Sequence, residues 1–231
     1  MSDAPQSPDN SIIENNPLWS NGLQFDAATT RELYDRHGAD YSRLATETGY
    51  EETVIGWCVQ SMKKHGALGR LLDAGCGSGQ LGAFLHKALP RLELHGCDLS
   101  PKMAELCRST GFYAEVKEQN LYEALAYPAA SFDAVACLAV LSYVRSQLPY
   151  REFDRILKPQ GLLCVAFRAQ LQEEWGYRAL EEDKVREGTW RRLSEHEFNP
   201  YPKDPSYVHT YRCIVIRKTD LPSRSKVLSP S

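Results

Sequence analysis

Residues 71–82 read Leu71-Leu72-Asp73-Ala74-Gly75-Cys76-Gly77-Ser78-Gly79-Gln80-Leu81-Gly82, and the reading of this stretch decides the fold. An apolar run reaches a carboxylate, Asp73, where a strand should end. Glycines follow at alternating positions, Gly75, Gly77 and Gly79, and a helical pattern begins after them. A turn that brings a ligand against bare backbone needs residues without a β-carbon, so these glycines suit close approach of a nucleotide at a helix N-terminus. The same run satisfies G-x-G-x-x-G at Gly77, Gly79 and Gly82, a dinucleotide fingerprint. Two cofactor classes therefore compete for one segment. Asp73 separates them: a pyrophosphate would be repelled by a carboxylate fixed beside it, whereas a nucleoside carrying cationic groups and no phosphate would be attracted.

Outward from this loop, strand-like and helix-like patterns alternate, which predicts a parallel sheet with helices on both faces. Asp26 can cap a helix that runs to about His37 and ends at Gly38, and a second helix spans Glu51 to Lys64. Strands are expected at Arg70–Ala74, Leu92–Asp98, Phe112–Val116, Phe132–Leu138 and Leu162–Phe167. Ser100 and Pro101 read as a helix start, and Lys158-Pro159-Gln160-Gly161 as a turn that ends the helix from Leu148. Leu171 to Glu187 reads as one charged helix with a narrow stripe of Leu171, Trp175 and Ala179. A strand from Trp190 and another over His209–Arg217 then form an antiparallel addition to the sheet. Residues 1–24 are rich in Pro, Ser, Asn and Asp and read as a flexible arm, and residues 219–231 as a flexible tail. Between them, residues 25–218 form a single domain, in which 170–207 is the expected lid insertion over the site.

Composition narrows the function classes. The chain has 231 residues, 42% apolar and 25% charged, with a net charge of -3, so no polyanion partner such as nucleic acid is expected. Seven cysteines are scattered without a C-x-x-C pair, and with no secretory signal they point to a reducing compartment; the expected location is cytoplasmic. No apolar run approaches the length of a membrane span. Metal-ligand spacing is also missing, so no metal is expected.

Several motifs in order carry a resemblance over roughly residues 30–217. Leu71–Gly79, the stretch HGCDLSPKM (His95–Met103), EQNLYEAL (Glu118–Leu125), FDAVACLAVLSYV (Phe132–Val144) and RILKPQG (Arg155–Gly161) resemble the successive motifs of class I S-adenosylmethionine-dependent methyltransferases. That resemblance implies a doubly wound, seven-stranded Rossmann-like α/β sheet with the last strand antiparallel, and methyl transfer from S-adenosylmethionine. It implies that Asp73 reaches the methionine end with Gly75, Cys76, Gly77 and Gly79 packed beside it. Asp98 would hold the ribose hydroxyls, with Leu99 next to it, and Met103 would pack on the adenine. Asn120 falls where the family usually has an acid that accepts from the adenine amino group; it could equally be a turn residue bonded to its own backbone. Leu121 would offer a backbone N–H to the ring, and the strand ending at Cys137 would face the methyl group. YDRHGADY (Tyr34–Tyr41) is similar to a segment that folds over the cofactor, so Tyr34 and Tyr41 would close the pocket. This segment, the Leu141-Ser142 pair and the YRCIVIRK ending most resemble the methyltransferase-like proteins encoded in the Williams–Beuren region.

Methyl transfer from a sulfonium can proceed largely by alignment of donor and acceptor, so a dedicated base is optional. Tyr143, His37 and His209 are weak catalytic candidates by position. The (N/D)-P-P-Y tetrad of adenine-amino methylation is replaced here by Cys137-Leu138-Ala139-Val140, which favours a small-molecule acceptor. Trp175, Tyr177, Trp190, Phe198 and Tyr201 could build an aromatic wall for it, or anchor the excursion to the sheet. Two other classes stay open: a nicotinamide-dependent oxidoreductase, and a catalytically silent S-adenosylmethionine-binding partner protein.

Overall fold

The computed structural model describes residues 26–203 and 207–220, apart from the side chains of residues 37, 39, 41 and 42. The expected arm, and the tail beyond Asp220, lie outside the described residues. Seven strands form one sheet in the order β3-β2-β1-β4-β5-β7-β6. They are β1 (Arg70–Ala74), β2 (Glu93–Asp98), β3 (Glu115–Glu118), β4 (Phe132–Leu138), β5 (Leu157–Arg168), β6 (Trp190–Phe198) and β7 (Tyr211–Lys218). β7 runs antiparallel to both of its neighbours, β5 and β6, and the other pairings are parallel. The helices are α1 (Ala27–Glu47), α2 (Gly56–Lys64, preceded by a π-helical turn Glu51–Ile55), α3 (Gln80–Ala88), α4 (Pro101–Ser109), α5 (Leu148–Ile156), α6 (Ala169–Glu174) and α7 (Tyr177–Arg186).

The central strands read as unbroken apolar runs because helices cover both faces. Alternate residues feed two cores: Leu71, Ala134, Ala136 and Cys164 join α2 and α3 on one face, while Leu72, Val135, Cys137 and Val165 join α5 on the other. β1 and β4 occupy the expected ranges. β3 starts later than expected because Phe112 and Tyr113 leave the strand to pack: Phe112 lies 5.2 Å from the His86 ring, and Tyr113 fills the space beside Gly79 and Gly82.

Three expectations are corrected. Gly38 does not end α1; it is buried in mid-helix, where a β-carbon would stand 2.2 Å from Met103 Sδ, so it serves close helix–helix approach. The segment Lys158–Gly161 does not stop the chain before β5 but belongs to it as an irregular opening. The register against β4 shifts there, and Gln160 adopts φ +65°. The charged helix is broken at Gly176, φ +72°, into α6 and α7, and its buried residues are Gln172, Tyr177 and Glu181 rather than the Leu171–Trp175–Ala179 stripe. Arg212, 1% exposed, donates to Glu181 at 2.8 Å, Gln172 at 2.7 Å and Glu195 at 2.6 Å, so the buried charge is fully paired. Within the segment expected as a lid, residues 169–198 form layers of the fold. Tyr177 and Trp190 are buried with Tyr150 and Phe153 in the second core, while Tyr201 stacks on Tyr50 near the strand ends.

Candidate cofactor and acceptor site

The glycine loop is shaped by two strand ends. The N–H groups of Gly75 and Cys76 donate to the Cys97 carbonyl at 2.7 and 3.0 Å, tying the loop to β2. Gly75 holds φ +80°, and a β-carbon there would lie 2.2 Å from Val140 Cγ2. No other residue fits both demands. Gly77, φ +54°, donates its N–H to Asp98 Oδ2 at 2.9 Å, and the Ser100 N–H donates to Oδ1 at 2.9 Å. Each oxygen of Asp98 keeps a lone pair for a further donor, which suits a vicinal diol. Burial pushes the Asp98 carboxyl above its ordinary value against these backbone bonds.

Asp73 ends β1 at 3% exposure. The Tyr113 hydroxyl donates to its Oδ2 at 2.7 Å. Burial still pushes this carboxyl up to about 7, with the Tyr113 bond opposing and the Asp98 charge adding to the rise. A carboxylate in this state is completed by a cation.

Two cavities meet at Gly75, Gly77 and Leu138, the larger on the Asp98 side and the smaller on the Asp73 side. The larger carries Tyr34 from α1, Asp98 and Leu99 from the end of β2, Met103 from α4, Asn120 and Leu121, and Tyr143 past β4. The smaller carries Asp73 and Cys76. Most of the sequence-predicted residues are thus brought together. Gly79 is not among the lining; its φ of +89° starts α3, and it packs on Thr110 and Tyr113. Cys137 is fully buried in the second core, so Leu138, one residue on, presents the strand end. The side chains of His37 and Tyr41 lie outside those described. Asn120 Oδ1 accepts from the Tyr122 N–H at 3.0 Å and Nδ2 donates to Glu123, so the turn reading describes its amide.

Sequence reasoning missed Thr30, Arg31, Gln119, Tyr122 and Val144 in the larger cavity, and Tyr50, Ile55 and Gln80 in the smaller. Thr30 and Arg31 stand one helical turn before Tyr34, a spacing that could have revealed them. Tyr50 carries no such signal. α1 is latched over the larger cavity: Arg31 Nε donates to the Leu99 carbonyl at 3.1 Å, and Asp35 accepts from the Ser100 hydroxyl.

Beside the cavities, the carboxyl ends of β4 and β5 carry an aromatic cluster. Tyr34 and Tyr143 meet edge-to-face at 5.9 Å, and burial pushes the Tyr143 phenol up to about 12. Tyr50, Tyr201, Tyr207 and Tyr211 pack together, and His209 lies 5.6 Å from Tyr207. Burial and the Arg168 charge hold His209 below its ordinary value. Among the described residues no group of His, Cys, Asp and Glu has a metal-binding arrangement, and no helix is long and apolar enough to cross a membrane.

A loop that offers backbone and two carboxylates, with no lysine or arginine at the helix start, fits an adenosyl cation better than a pyrophosphate. The comparisons with known proteins agree. Residues 71–161 match the family described as a methyltransferase domain. The chain is 31% identical to methyltransferase-like protein 27 of Homo sapiens over 178 residues, 73% of this chain and 71% of that protein. It is 32% identical to a ubiquinone/menaquinone biosynthesis C-methyltransferase of Syntrophotalea carbinolica, spanning 59% of this chain and 60% of that one. Among solved structures, magnesium protoporphyrin IX methyltransferase from Synechocystis with bound S-adenosylhomocysteine superposes with a TM-score of 0.64 at 15% identity, covering 84% of this chain and 100% of that chain. The human relative also accords with the resemblance carried by the Tyr34–Tyr41 segment and the YRCIVIRK ending. The chain belongs to the class I S-adenosylmethionine-dependent methyltransferases, and S-adenosylmethionine is its cofactor.

Proposed function

We propose that this methyltransferase acts on a small-molecule acceptor presented at the carboxyl ends of β4 and β5, between the glycine loop and the residues around Tyr201, Tyr207 and His209. The observation that carries the reading is the pair of cavities sharing Gly75 and Leu138, with Asp98 in one and Asp73 in the other. The names of the relatives support it, since ubiquinone/menaquinone and malonyl-[acyl-carrier protein] methyltransferases are among them. When bound, the cofactor supplies an electrophilic methyl group on a sulfonium whose leaving group is a neutral thioether.

The residues of this chain then have separate tasks. Asp98 would accept from the ribose hydroxyls, Met103 and Leu99 would hold the adenine, and Asp73 would meet the ammonium of the methionine end. Tyr34, with α1, excludes water from above. Gly75 and Gly77 let the sulfur side approach the end of β4. Tyr143 keeps its proton and shapes the wall; His209, an imidazole next to the aromatic cluster, is the better proton acceptor where an acceptor must lose one. The working unit is the single domain over 25–218, with Tyr201, Tyr207 and His209 beside the acceptor, and the expected location is the cytoplasm.

Calorimetric titration tests the cofactor assignments. The wild-type protein binds S-adenosylhomocysteine and not NADH, and Asp98→Ala weakens that binding by about 1–3 kcal/mol from lost charged hydrogen bonds. Unchanged affinity in Asp98→Ala would remove the ribose assignment. Intact cofactor binding without methyl transfer to any small molecule would leave a cofactor-binding partner protein.

A further inference from the structure

We propose that Arg168 binds an oxyanion of the acceptor, a carboxylate or a phosphate, so that this enzyme methylates acidic small molecules; the inference rests on the small-molecule reading above. Arg168 is the last residue of β5, at the strand ends where sheets of this kind take their ligands. Its backbone N–H donates to Ser142 Oγ at 3.4 Å, just past the Leu138–Val140 wall of the larger cavity. Its side chain is half-buried, and its guanidinium lies 5.8 Å from the centre of the Tyr207 ring.

What marks this arginine is its company. Its electrostatic neighbours among the described residues are the phenols Tyr143, Tyr207 and Tyr211 and the imidazole of His209. Its Nε is buried and makes no hydrogen bond to a described residue. No described carboxylate forms an ion pair with it, although the fold pairs the fully buried Arg212 with Glu181 and Glu195. A guanidinium withdrawn from water without a counter-charge is costly, and a folded chain keeps one where an anion will complete it. The planar fork of five donors matches carboxylate and phosphate oxygens in pairs.

The position also faces the chemistry. Tyr143, which lines the larger cavity, feels the Arg168 charge. Tyr211, the cross-strand partner of Arg168, packs edge-to-face at 6.4 Å on Tyr50, which lines the Asp73 cavity. An acceptor anchored on Arg168 by its acid group would therefore lie along aromatic walls that lead to both cavities. The tyrosine rings suit an apolar or aromatic body, and their hydroxyls tolerate polar substituents. Asp204, three residues before Tyr207 in sequence and outside the described residues, is the rival partner that the test must address.

The test uses the full chain, S-adenosylmethionine labelled in its methyl carbon, and a protein-free extract of small metabolites, with labelled products identified by high-resolution mass spectrometry. The expected acceptor, deduced from the labelled product, carries a carboxylate or a phosphate. With that acceptor purified, Arg168→Gln lowers kcat/KM by about 100-fold, mainly through KM, as loss of one partner of a buried charge pair does. Arg168→Lys recovers part of the activity. Both variants bind S-adenosylhomocysteine within about twofold of the wild type, which reports that they fold, and Asp204→Asn turns over normally. The amide of a carboxylate acceptor, or the dephosphorylated form of a phosphate one, is not methylated. A neutral acceptor, full activity in Arg168→Gln, or loss of activity in Asp204→Asn equal to that in Arg168→Gln would overturn the assignment while leaving the small-molecule reading in place. No labelled product from a wild-type protein that binds cofactor would overturn that reading, and this inference with it.

Discussion

Replacing Asp73 by asparagine should stabilise the cofactor-free protein while removing its grip on the cofactor. In the native state burial pushes this carboxyl from 3.8 to about 7. The folded value lies above the unfolded one, so the native state holds a proton that the unfolded chain has released. The contribution to stability is then full below about pH 4, falls as the pH rises, and reaches its lowest level above about pH 7. At about 1.4 kcal/mol for each tenfold, the interval between the two values amounts to about 4 kcal/mol, of which about 3 falls between pH 5 and pH 8. Asparagine carries no charge to desolvate and still offers an oxygen to the Tyr113 hydroxyl, which now donates to Asp73 at 2.7 Å. Urea denaturation at pH 5, 6, 7 and 8, on both proteins without cofactor, measures the difference directly. The stability of Asp73→Asn relative to wild type should rise by about 3 kcal/mol across that range. In parallel, calorimetry should show S-adenosylmethionine binding lost in the variant and, in the wild type, weakening up to tenfold per pH unit below 7. A stability difference that does not change with pH would refute the argument, because the burial of a titrating charge would then have no energetic consequence.

Other perturbations address separate parts of the structure. Glu181→Ala leaves Arg212, 1% exposed, without its buried partner and should cost about 3–5 kcal/mol, read as a lowered midpoint in thermal or urea unfolding. Gln160→Gly relieves a side chain held at φ +65° and should raise stability by about 0.5–1 kcal/mol, since the bond it gives up, to Asp220, is exposed. Tyr143→Phe should lower product formation by less than about tenfold and leave the pH–rate profile unchanged between pH 6 and 10, because a phenol pushed up to about 12 keeps its proton throughout. A lost basic limb in that profile would give Tyr143 the proton-transfer role denied to it here.

Much of the donor side was legible because its residues answer to local rules. A strand end, a positive φ and a helix cap each leave a residue-type signature, so Asp73, Gly75, Gly77, Asp98 and the Ser100–Pro101 start could be read singly. The parts that were not legible depend on contacts between distant segments. Gly38 carries the same symbol as a helix terminator, yet its use is set by Met103, which no local pattern reveals. Gln172 and Glu181 look solvated until Arg212 arrives from β7 to pair with them. Arg168 is one more charged strand end in the sequence; only the fold shows that its neighbours among the described residues are phenols and an imidazole rather than a carboxylate. Asn120 marks the limit in the other direction, since its type allowed both a ligand contact and a turn, and the hydrogen bond to Tyr122 selects the turn for its amide oxygen.

The seating of α1 sets the order of traffic through the enzyme. The helix is tied to the strand end by Arg31 and Asp35 and lies flush on Met103 at Gly38, so it roofs the nucleoside. On the acceptor site proposed above, the acceptor would enter from the opposite flank, past β5 and β7. Donor exchange would then require α1 to lift, whereas acceptors could be sampled with α1 in place. Such an enzyme would load its methyl donor first and would be throttled by how slowly the spent homocysteine nucleoside escapes. It would respond to the ratio of fresh to spent donor more than to the abundance of either.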